Sequence, residues 1–272
     1  VRDLLRGKYL AIMGDSNFRA LYKDVIYAML EPQLIPDEHL QIKGDKPFLN
    51  DKVISSPLGR GRDYQERRTY MLKSEDIKIS YTFLTRCHDD RIKKEFEEWT
   101  KSRRKPDIVL CSSIQWDMSR WGPEGTHRFR DNFRQLVSDL KALSIPHVIW
   151  ASSPPVSKKL KRGFILQQLR FVGPVLPVYI LEANKFCSDV CREEQVCFLD
   201  FHFSLRNLIC SRHTDGVHWN PPACRYMTNI LFTYLSFMLK KRLPGDGLSR
   251  RPPKVLTDWV SMFDPEPTPE ED

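Results

Sequence analysis

The stretch YLAIMGDSNFRALYKDVI, residues 9 to 26, joins a short apolar run to a Gly-Asp-Ser turn and then to a helical pattern. The apolar run belongs to KYLAIM, residues 8 to 13, which has the length and the bounding glycines of a buried strand. From Asn17 to Leu30, large apolar side chains recur at helical intervals, which predicts an amphipathic helix. The stretch is therefore predicted to form a strand, a tight turn and a helix.

The alternation of apolar strands and amphipathic helices continues along the chain. RRTYML and IKISYTFL are predicted to form a hairpin, and further strands and helices are predicted at 107–113, 147–152 and 196–200 and at 90–101, 126–143, 175–193 and 223–238. We interpret 33–63 and IQWDMSRWGPEG, residues 114 to 125, as loops. The pattern indicates an α/β fold with a mainly parallel sheet that helices cover on both faces. In such sheets ligands bind beyond the carboxyl ends of the strands.

The length of the chain, 272 residues, is sufficient for one large core. We expect one domain over residues 1–243 and a Pro-rich, acidic-ended tail over 244–272 that cannot form a packed core. No apolar run approaches the ~20 residues needed to cross a bilayer, so no membrane span is expected. The first seven residues, VRDLLRG, lack the apolar centre of a secretory signal.

The formal net charge of +8 is compatible with an anionic partner such as nucleic acid. The basic clusters, however, are short, lie at predicted loops or helix ends, and lack interleaved aromatic residues on which bases could stack. They are more typical of solvated surface, and no nucleic-acid partner is expected.

The seven cysteines are an odd number and are scattered through a chain much larger than a disulfide-stapled small domain. We therefore expect reduced thiols and a cytoplasmic or nuclear location. Cys187 and Cys191 lie one helical turn apart and could bind zinc together with Cys197 and a histidine, but the tight C-x-x-C spacing is missing. No metal site is predicted.

Ser16 in the Gly-Asp-Ser turn has two interpretations. As a structural residue, Ser16 or Asp15 would cap the helix by accepting a hydrogen bond from an amide of the first turn. As a nucleophile, Ser16 would lie at the carboxyl edge of the sheet, where helix amides and the helix dipole stabilise a developing oxyanion. The Gly-Asp-Ser turn alone does not decide between them, because caps are far commoner than nucleophiles.

A nucleophilic serine needs a base, and the base needs a group that fixes its tautomer. HTDGVHWN, residues 213 to 220, supplies both, since Asp215 precedes His218 by three residues on a Gly-containing loop. A surface histidine beside an Asx turn would show the same pattern. Because the chain combines this loop with the Gly-Asp-Ser turn in an α/β frame, we favour a catalytic triad of Ser16, His218 and Asp215.

Three motifs in this order resemble the PC-esterase family, a branch of the GDSL/SGNH hydrolases. They are IMGDSNFRALYKDV near the start, DIVLCSSIQWDMSRWG in the middle and DGVHWN near the end, and the resemblance spans about residues 5 to 240. It implies a flavodoxin-like, three-layer α/β/α fold and the same triad. It also implies hydrolysis or transfer of an acyl ester without a metal or organic cofactor, on substrates that include acylated carbohydrates.

The resemblance also implies how an oxyanion would be stabilised. The family pattern places Arg19 one turn after Ser16, as a donor to an oxyanion or an acidic substrate group, or alternatively as an ion-pair partner. The SGNH pattern expects an asparagine at the end of the central strand, where this chain has Ser112. A second expected donor, a glycine amide, is assigned to Gly59 or Gly61.

The segment after Ser112 carries aromatic and charged residues that suit a sugar-binding cleft or the packing of a loop. These residues are Trp116, Asp117, Arg120 and Trp121. Because Ser112 replaces the expected asparagine, a second function stays open: a catalytically degenerate SGNH fold that acts as a binding or scaffold protein.

Overall fold

The fold is built on one seven-stranded sheet, seen in a computed structural model that describes residues 1–55, 61–161 and 164–243. The strands are β1 (Tyr9–Gly14), β2 (Lys52–Ser55), β3 (Arg67–Leu72), β4 (Ile77–Phe83), β5 (Ile108–Cys111), β6 (His147–Ala151) and β7 (Cys197–Leu199). Their order is β2-β3-β4-β1-β5-β6-β7. Strands β4, β1, β5, β6 and β7 are parallel, and β2 and β3 add an antiparallel edge.

Nine α-helices surround the sheet in the described residues. They are α1 (Arg2–Leu5), α2 (Ser16–Leu30), α3 (Asp37–Gln41), α4 (Asp90–Lys101), α5 (Ile114–Arg120), α6 (Gly122–Ala142), α7 (Leu176–Glu193), α8 (Phe201–Leu205) and α9 (Pro221–Met238). Within the same part of the chain, none of the helices combines the length and apolarity needed to cross a membrane.

Two hydrophobic cores lie on opposite faces of the sheet. Because side chains alternate along a strand, Leu10 and Ile12 of β1 enter the core formed with α1, α2 and α9. Ala11 and Met13 enter the opposite core, formed with α4, α5, α6 and α7. The predicted α/β fold with a mainly parallel sheet between two helical layers is confirmed.

The interpretation of 114–125 as a loop is wrong. This segment forms α5 and the beginning of α6. Ile114 and Met118 recur one helical turn apart and are buried in the core, which favours the helix. Pro123 lies in the first turn of α6, where an N–H has no intrahelical acceptor, so it starts a helix instead of breaking one.

The predicted loop over 33–63 is also partly wrong, because it contains α3 and the edge strand β2. Strand β2 pairs with β3 through a bulged, antiparallel register. Such a short edge strand carries too few residues for a clear alternating pattern, so the sequence gives little signal for it. The predicted hairpin of β3 and β4 is confirmed, with residues 73–75 forming a 3-10 turn between them.

Gly14 ends β1 at a point where the backbone has no room for a side chain. A Cβ at this position would lie 2.5 Å from Cγ of Phe18 and 2.9 Å from the carbonyl oxygen of Ser112. Phe18 is buried in the core, and the backbone of Ser112 is held because its N–H donates to the carbonyl of Met13. Glycine is therefore needed where the sheet passes into the Gly-Asp-Ser turn.

Gly14→Ala is expected to lower the free energy of unfolding by about 1–3 kcal/mol, because the added methyl group overpacks this junction. Urea unfolding followed by circular dichroism measures the change. Gly173→Ala is the control, since its Cβ would meet its nearest neighbour only at 3.3 Å and its backbone has a negative φ. Equal losses in the two variants would contradict the packing argument.

Asp117 of α5 is buried below the surface instead of lining a cleft. Its Oδ2 accepts hydrogen bonds from the Cys87 amide at 3.0 Å and from the Ser113 hydroxyl at 2.6 Å. Burial raises the pKa of Asp117 to about 7, because the hydrogen bonds do not replace the lost hydration of a carboxylate. Asp117 thus ties α5 to the loop before α4.

Asp117 is expected to make stability fall as the pH rises from about 4 to about 7. In this window the folded protein keeps a proton that the unfolded chain, with an ordinary Asp pKa, releases, so ionisation favours unfolding. Asp117→Asn mimics the protonated acid and removes this contribution. Urea unfolding midpoints of wild type and Asp117→Asn at pH 5 and pH 7.5 test this expectation. An equal change of the midpoint with pH in the two proteins would contradict it.

Candidate active site

Ser16 is the first residue of α2, directly after the end of β1. Asp15 is the helix cap, because its side chain accepts a hydrogen bond from the Asn17 amide at 2.8 Å. The cap is buried, which raises the pKa of Asp15. Since Asp15 performs the capping, the hydroxyl of Ser16 is available for another partner.

The structure brings Ser16, His218 and Asp215 into one hydrogen-bonded row. The distance between Ser16 Oγ and His218 Nε2 is 2.7 Å, and that between His218 Nδ1 and Asp215 Oδ2 is 2.6 Å. With the ring hydrogen on Nδ1, His218 donates to the carboxylate and accepts the proton of the serine hydroxyl. This order of nucleophile, base and orienting carboxylate is the one that serine-dependent acyl transfer requires.

The Asp215 carboxylate is held in its ionised form. Partial burial acts to raise its pKa, but the His218 ring and the amides of His218 and Val217 donate hydrogen bonds that outweigh it. The pKa of Asp215 is consequently well below the ordinary value for aspartate. The charge that fixes the histidine tautomer is therefore present throughout the neutral range.

The loop that carries Asp215 and His218 is fastened to the segment after β6. The carbonyl of Gly216 accepts a hydrogen bond from Ser157, and the carbonyl of Asp215 accepts one from Lys161. Gly216 has φ +84°, and a Cβ there would lie 2.7 Å from the Lys159 carbonyl. Only glycine fits this tight left-handed turn between the acid and the base.

Asn17 joins the two halves of the site and was missed by the sequence reasoning. Its side-chain amide donates to Oε1 of Gln115 at 3.1 Å and to the carbonyl of Val217 at 3.3 Å. One buried amide thus connects α2, α5 and the histidine loop. The sequence shows Asn17 only as a polar residue among the predicted helix residues, and its partners lie about 100 and 200 positions away.

Two cavities, of about 460 and 480 Å³, adjoin the pair of Ser16 and His218. Arg19 and Lys43 line both. The first cavity extends along Leu40, Gln41, Lys161, His213, Thr214 and Asp215, and the second along Gly61, Tyr64, Phe83, Trp116, Arg120 and Phe164. The second cavity has the more aromatic wall, and Trp116 and Tyr64 each pack edge-on against Phe83 there.

Arg19 faces the cavities from a buried ion-pair network. Its Nη1 donates to Oε2 of Glu66 at 2.7 Å, and Tyr64 donates to the same oxygen at 2.7 Å. The other oxygen of Glu66 pairs with Arg68, which also pairs with Asp51. Burial acts to raise the pKa of Glu66, but the two arginines and Tyr64 outweigh it and lower that pKa. The ion-pair interpretation of Arg19 therefore holds, although the residue also lies beside Ser16.

The remaining predicted site residues do not all line the two cavities. Trp116 lines the second cavity, whereas Ser112 is 2% exposed and is absent from the lining of both cavities described above. Gly59 lies outside the described residues, and its alternative, Gly61, lines the second cavity. An oxyanion role for Ser112 and Gly59 stays a prediction.

The described residues contain no cluster of three or more histidine, cysteine, aspartate or glutamate side chains suited to a metal ion. Cys187 and Cys191 lie on the buried face of α7, where they pack in the core as apolar side chains. None of the seven cysteines, all of which are described, forms a disulfide.

Glu66→Gln is expected to lower the free energy of unfolding by about 3–5 kcal/mol, because it leaves buried Arg68 without one of its carboxylate partners. The control is Glu98→Gln, which removes an exposed partner of Arg67 and is expected to cost less than about 1 kcal/mol. Urea unfolding of both variants measures the difference. A loss at Glu66 as small as the loss at Glu98 would show that the buried network contributes little.

Relatives with similar sequences are PC-esterase domain-containing proteins. Human protein 1A is 28% identical over 272 residues, which cover 97% of this chain and 59% of the relative. Human protein 1B is 28% identical over 275 residues, which cover 98% and 61%. The chain thus spans about three fifths of the length of these curated relatives. A comparison with protein-family models finds none that matches.

Solved structures with a similar fold include hydrolases. A GDSL-like lipase from Bacteroides thetaiotaomicron has a TM-score of 0.54 and 12% identity, covering 88% of this chain and 91% of its own. An acetylxylan esterase from Geobacillus stearothermophilus has a TM-score of 0.51 and 13% identity, covering 86% and 96%. The resemblance found in the sequence is thereby confirmed: this chain is similar to the PC-esterase domain-containing proteins along nearly its whole length, and it has the fold of the GDSL/SGNH hydrolases.

Proposed function

We propose that this protein is a serine-dependent acyl esterase in which Ser16 is the nucleophile, His218 the base and Asp215 the orienting group. The observation that carries the proposal is the continuous row of hydrogen bonds from Ser16 Oγ to His218 Nε2, 2.7 Å, and from His218 Nδ1 to Asp215, 2.6 Å. The sequence similarity to PC-esterase domain-containing proteins and the fold shared with esterases support the same chemistry.

The reaction proceeds in two steps. Ser16 Oγ attacks the acyl carbonyl while its proton passes to His218 Nε2, and the tetrahedral intermediate collapses as His218 returns that proton to the departing alcohol. An acyl ester on Ser16 remains. Water or an acceptor hydroxyl then attacks this ester, with His218 first taking a proton and afterwards returning it to Ser16.

The start of α2 supplies stabilisation for the oxyanion. The backbone N–H of Ser16 occupies the first helical position, where no intrahelical acceptor exists, and the positive end of the helix dipole lies at the same point. The Asn17 amide is already used by Asp15, so it does not contribute. We assign the further donor to the amide of Gly59 or Gly61 or to the hydroxyl of Ser112.

The proposed substrates are acyl esters, with acylated carbohydrates as the favoured class. The second cavity supports this choice, because Trp116, Tyr64 and Phe83 line it with aromatic side chains next to Ser16. Aromatic faces with nearby polar groups suit the apolar faces of sugar rings. One fold neighbour is an acetylxylan esterase, which agrees with this assignment.

A fluorophosphonate probe is expected to form a covalent adduct on Ser16, because the probe traps serines that an adjacent base activates. Ser16→Ala and His218→Ala are expected to abolish the adduct. Asp215→Asn is expected to slow hydrolysis of small acyl esters on the order of 10³- to 10⁴-fold, since the amide favours the wrong histidine tautomer. Peptide mass spectrometry locates the adduct, and spectrophotometry follows hydrolysis.

The control for this experiment is Ser236→Ala, near the end of α9 and outside both cavities, which is expected to leave labelling and turnover unchanged. A folded wild-type protein that neither forms the adduct nor hydrolyses small acyl esters would refute the enzymatic proposal.

A second candidate function is an inactive SGNH fold that binds a partner. The observation that favours it concerns Ser112, which stands where the SGNH pattern expects an asparagine. Ser112 is buried and is absent from the linings of the two cavities described above. Loss of a preorganised oxyanion donor costs on the order of 10²-fold in rate. A partner that binds wild type and Ser16→Ala equally, together with absent labelling, would support this function.

A further inference from the structure

Arg120 lies at the end of α5 and lines the same cavity as Ser16 and His218. Its guanidinium is placed over two aromatic rings, 4.6 Å from the ring centre of Trp116 and 5.5 Å from that of Phe164. Such stacking fixes the plane of a guanidinium and leaves its N–H groups free to point along the rings. Arg120 is therefore a positioned cation in the wall of the cavity.

The charge of Arg120 has no carboxylate partner in the described ranges of the chain. Its Nε is buried and makes no hydrogen bond to the described residues. Burial lowers the pKa of Arg120, although a guanidinium stays charged at neutral pH. A partly desolvated cation without an anionic partner is unfavourable unless a ligand supplies the anion.

Two other arginines near the site have carboxylate partners. Arg68 pairs with Glu66 and Asp51, and Arg19 pairs with Glu66. Arg120 thus differs from Arg68 and Arg19 in having no carboxylate partner among the described residues. It also lines the cavity that contains Ser16.

Most charged residues that line the two cavities are basic. Lys43 and Arg19 line both cavities, and Lys161 lines the first. The acidic residue in these linings is Asp215, whose carboxylate is engaged by His218. Because Glu66 neutralises Arg19, the excess positive charge in the described linings comes from Lys43, Lys161 and Arg120. Such an excess attracts anionic and disfavours cationic substrates.

We propose that Arg120, stacked on Trp116 and Phe164, forms a subsite for an oxyanion group of the substrate, so that the esterase prefers anionic esters. The guanidinium presents paired N–H donors that match a carboxylate or a phosphate. The oxyanion lies on a part of the substrate other than the acyl carbonyl that Ser16 attacks. This inference rests on the proposed esterase function, and it adds the charge of the substrate.

The test compares two esters of nearly equal shape, 4-acetoxybenzoate, which carries a carboxylate, and its neutral methyl ester. Each kcat/KM is divided by the rate constant of uncatalysed hydrolysis, which removes the difference in leaving-group reactivity. For wild type, we expect a ratio of about 10 or more in favour of the carboxylate, as a charged hydrogen bond provides. Arg120→Gln is expected to lower this ratio about tenfold, and Arg120→Lys to lower it less.

Arg134→Gln is the matched control. Arg134 also lies over an aromatic ring, 4.9 Å from the centre of Phe186, but it lines neither cavity. The charge preference of this variant is expected to equal that of wild type. Near-UV circular dichroism of every variant reports whether the aromatic packing is preserved. A ratio that Arg120→Gln leaves unchanged would overturn the inference.

A binding measurement separates failure of this inference from failure of the proposed function. Benzoate, phenyl phosphate and neutral benzamide are titrated into the full chain by isothermal calorimetry, which requires no turnover. Binding of benzoate or phenyl phosphate that Arg120→Gln weakens about tenfold, with benzamide bound poorly, supports the subsite and shows which oxyanion it prefers. Equal affinity for benzoate and benzamide refutes the subsite, whereas absent labelling of Ser16 together with absent ester hydrolysis refutes only the esterase.

Discussion

The hydrogen bond between Ser16 Oγ and His218 Nε2 joins segments that lie 202 positions apart in the chain. Its length depends on two backbone positions: the end of β1, where Gly14 permits a close turn, and the loop of Gly216. Asn17 links these positions directly, because its amide donates to the Val217 carbonyl. Ser16 and His218 are thus aligned by a buried hydrogen bond beside them as well as by the sheet.

A network of buried ion pairs lies beside the site and is centred on Glu66. Glu66 lies on the chain just before β3 and holds Arg19 of α2 and Arg68 of β3 at once. Each buried charge carries a desolvation cost, so the arrangement is stable only while every member keeps its partner. This network fixes Arg19 next to Ser16 without leaving its charge uncompensated.

The sequence was sufficient to predict the parts of the protein that follow from local patterns. Apolar runs gave the buried strands, and the Gly-Asp-Ser turn and the DGVHWN loop gave the three residues that the structure brings together. The helix α5 was missed because aromatic and charged residues dominate the composition of this segment, although Ile114 and Met118 recur one helical turn apart and are buried in the core. Local composition carried less information than the spacing of two apolar residues.

Residues that depend on distant partners could not be predicted in this way. Asn17 and Glu66 look like ordinary polar residues, since the sequence does not show what they face. Arg19 and Arg120 both line the cavity next to Ser16, but their surroundings give them different roles. The charge of Arg19 is balanced by Glu66, so it contributes mainly to the shape and rigidity of the wall. Arg120 is stacked on aromatic rings without such a carboxylate, so a change in substrate charge acts on it most strongly. The proposed selectivity for charge therefore rests on Arg120, which has no carboxylate partner among the residues that the structure describes.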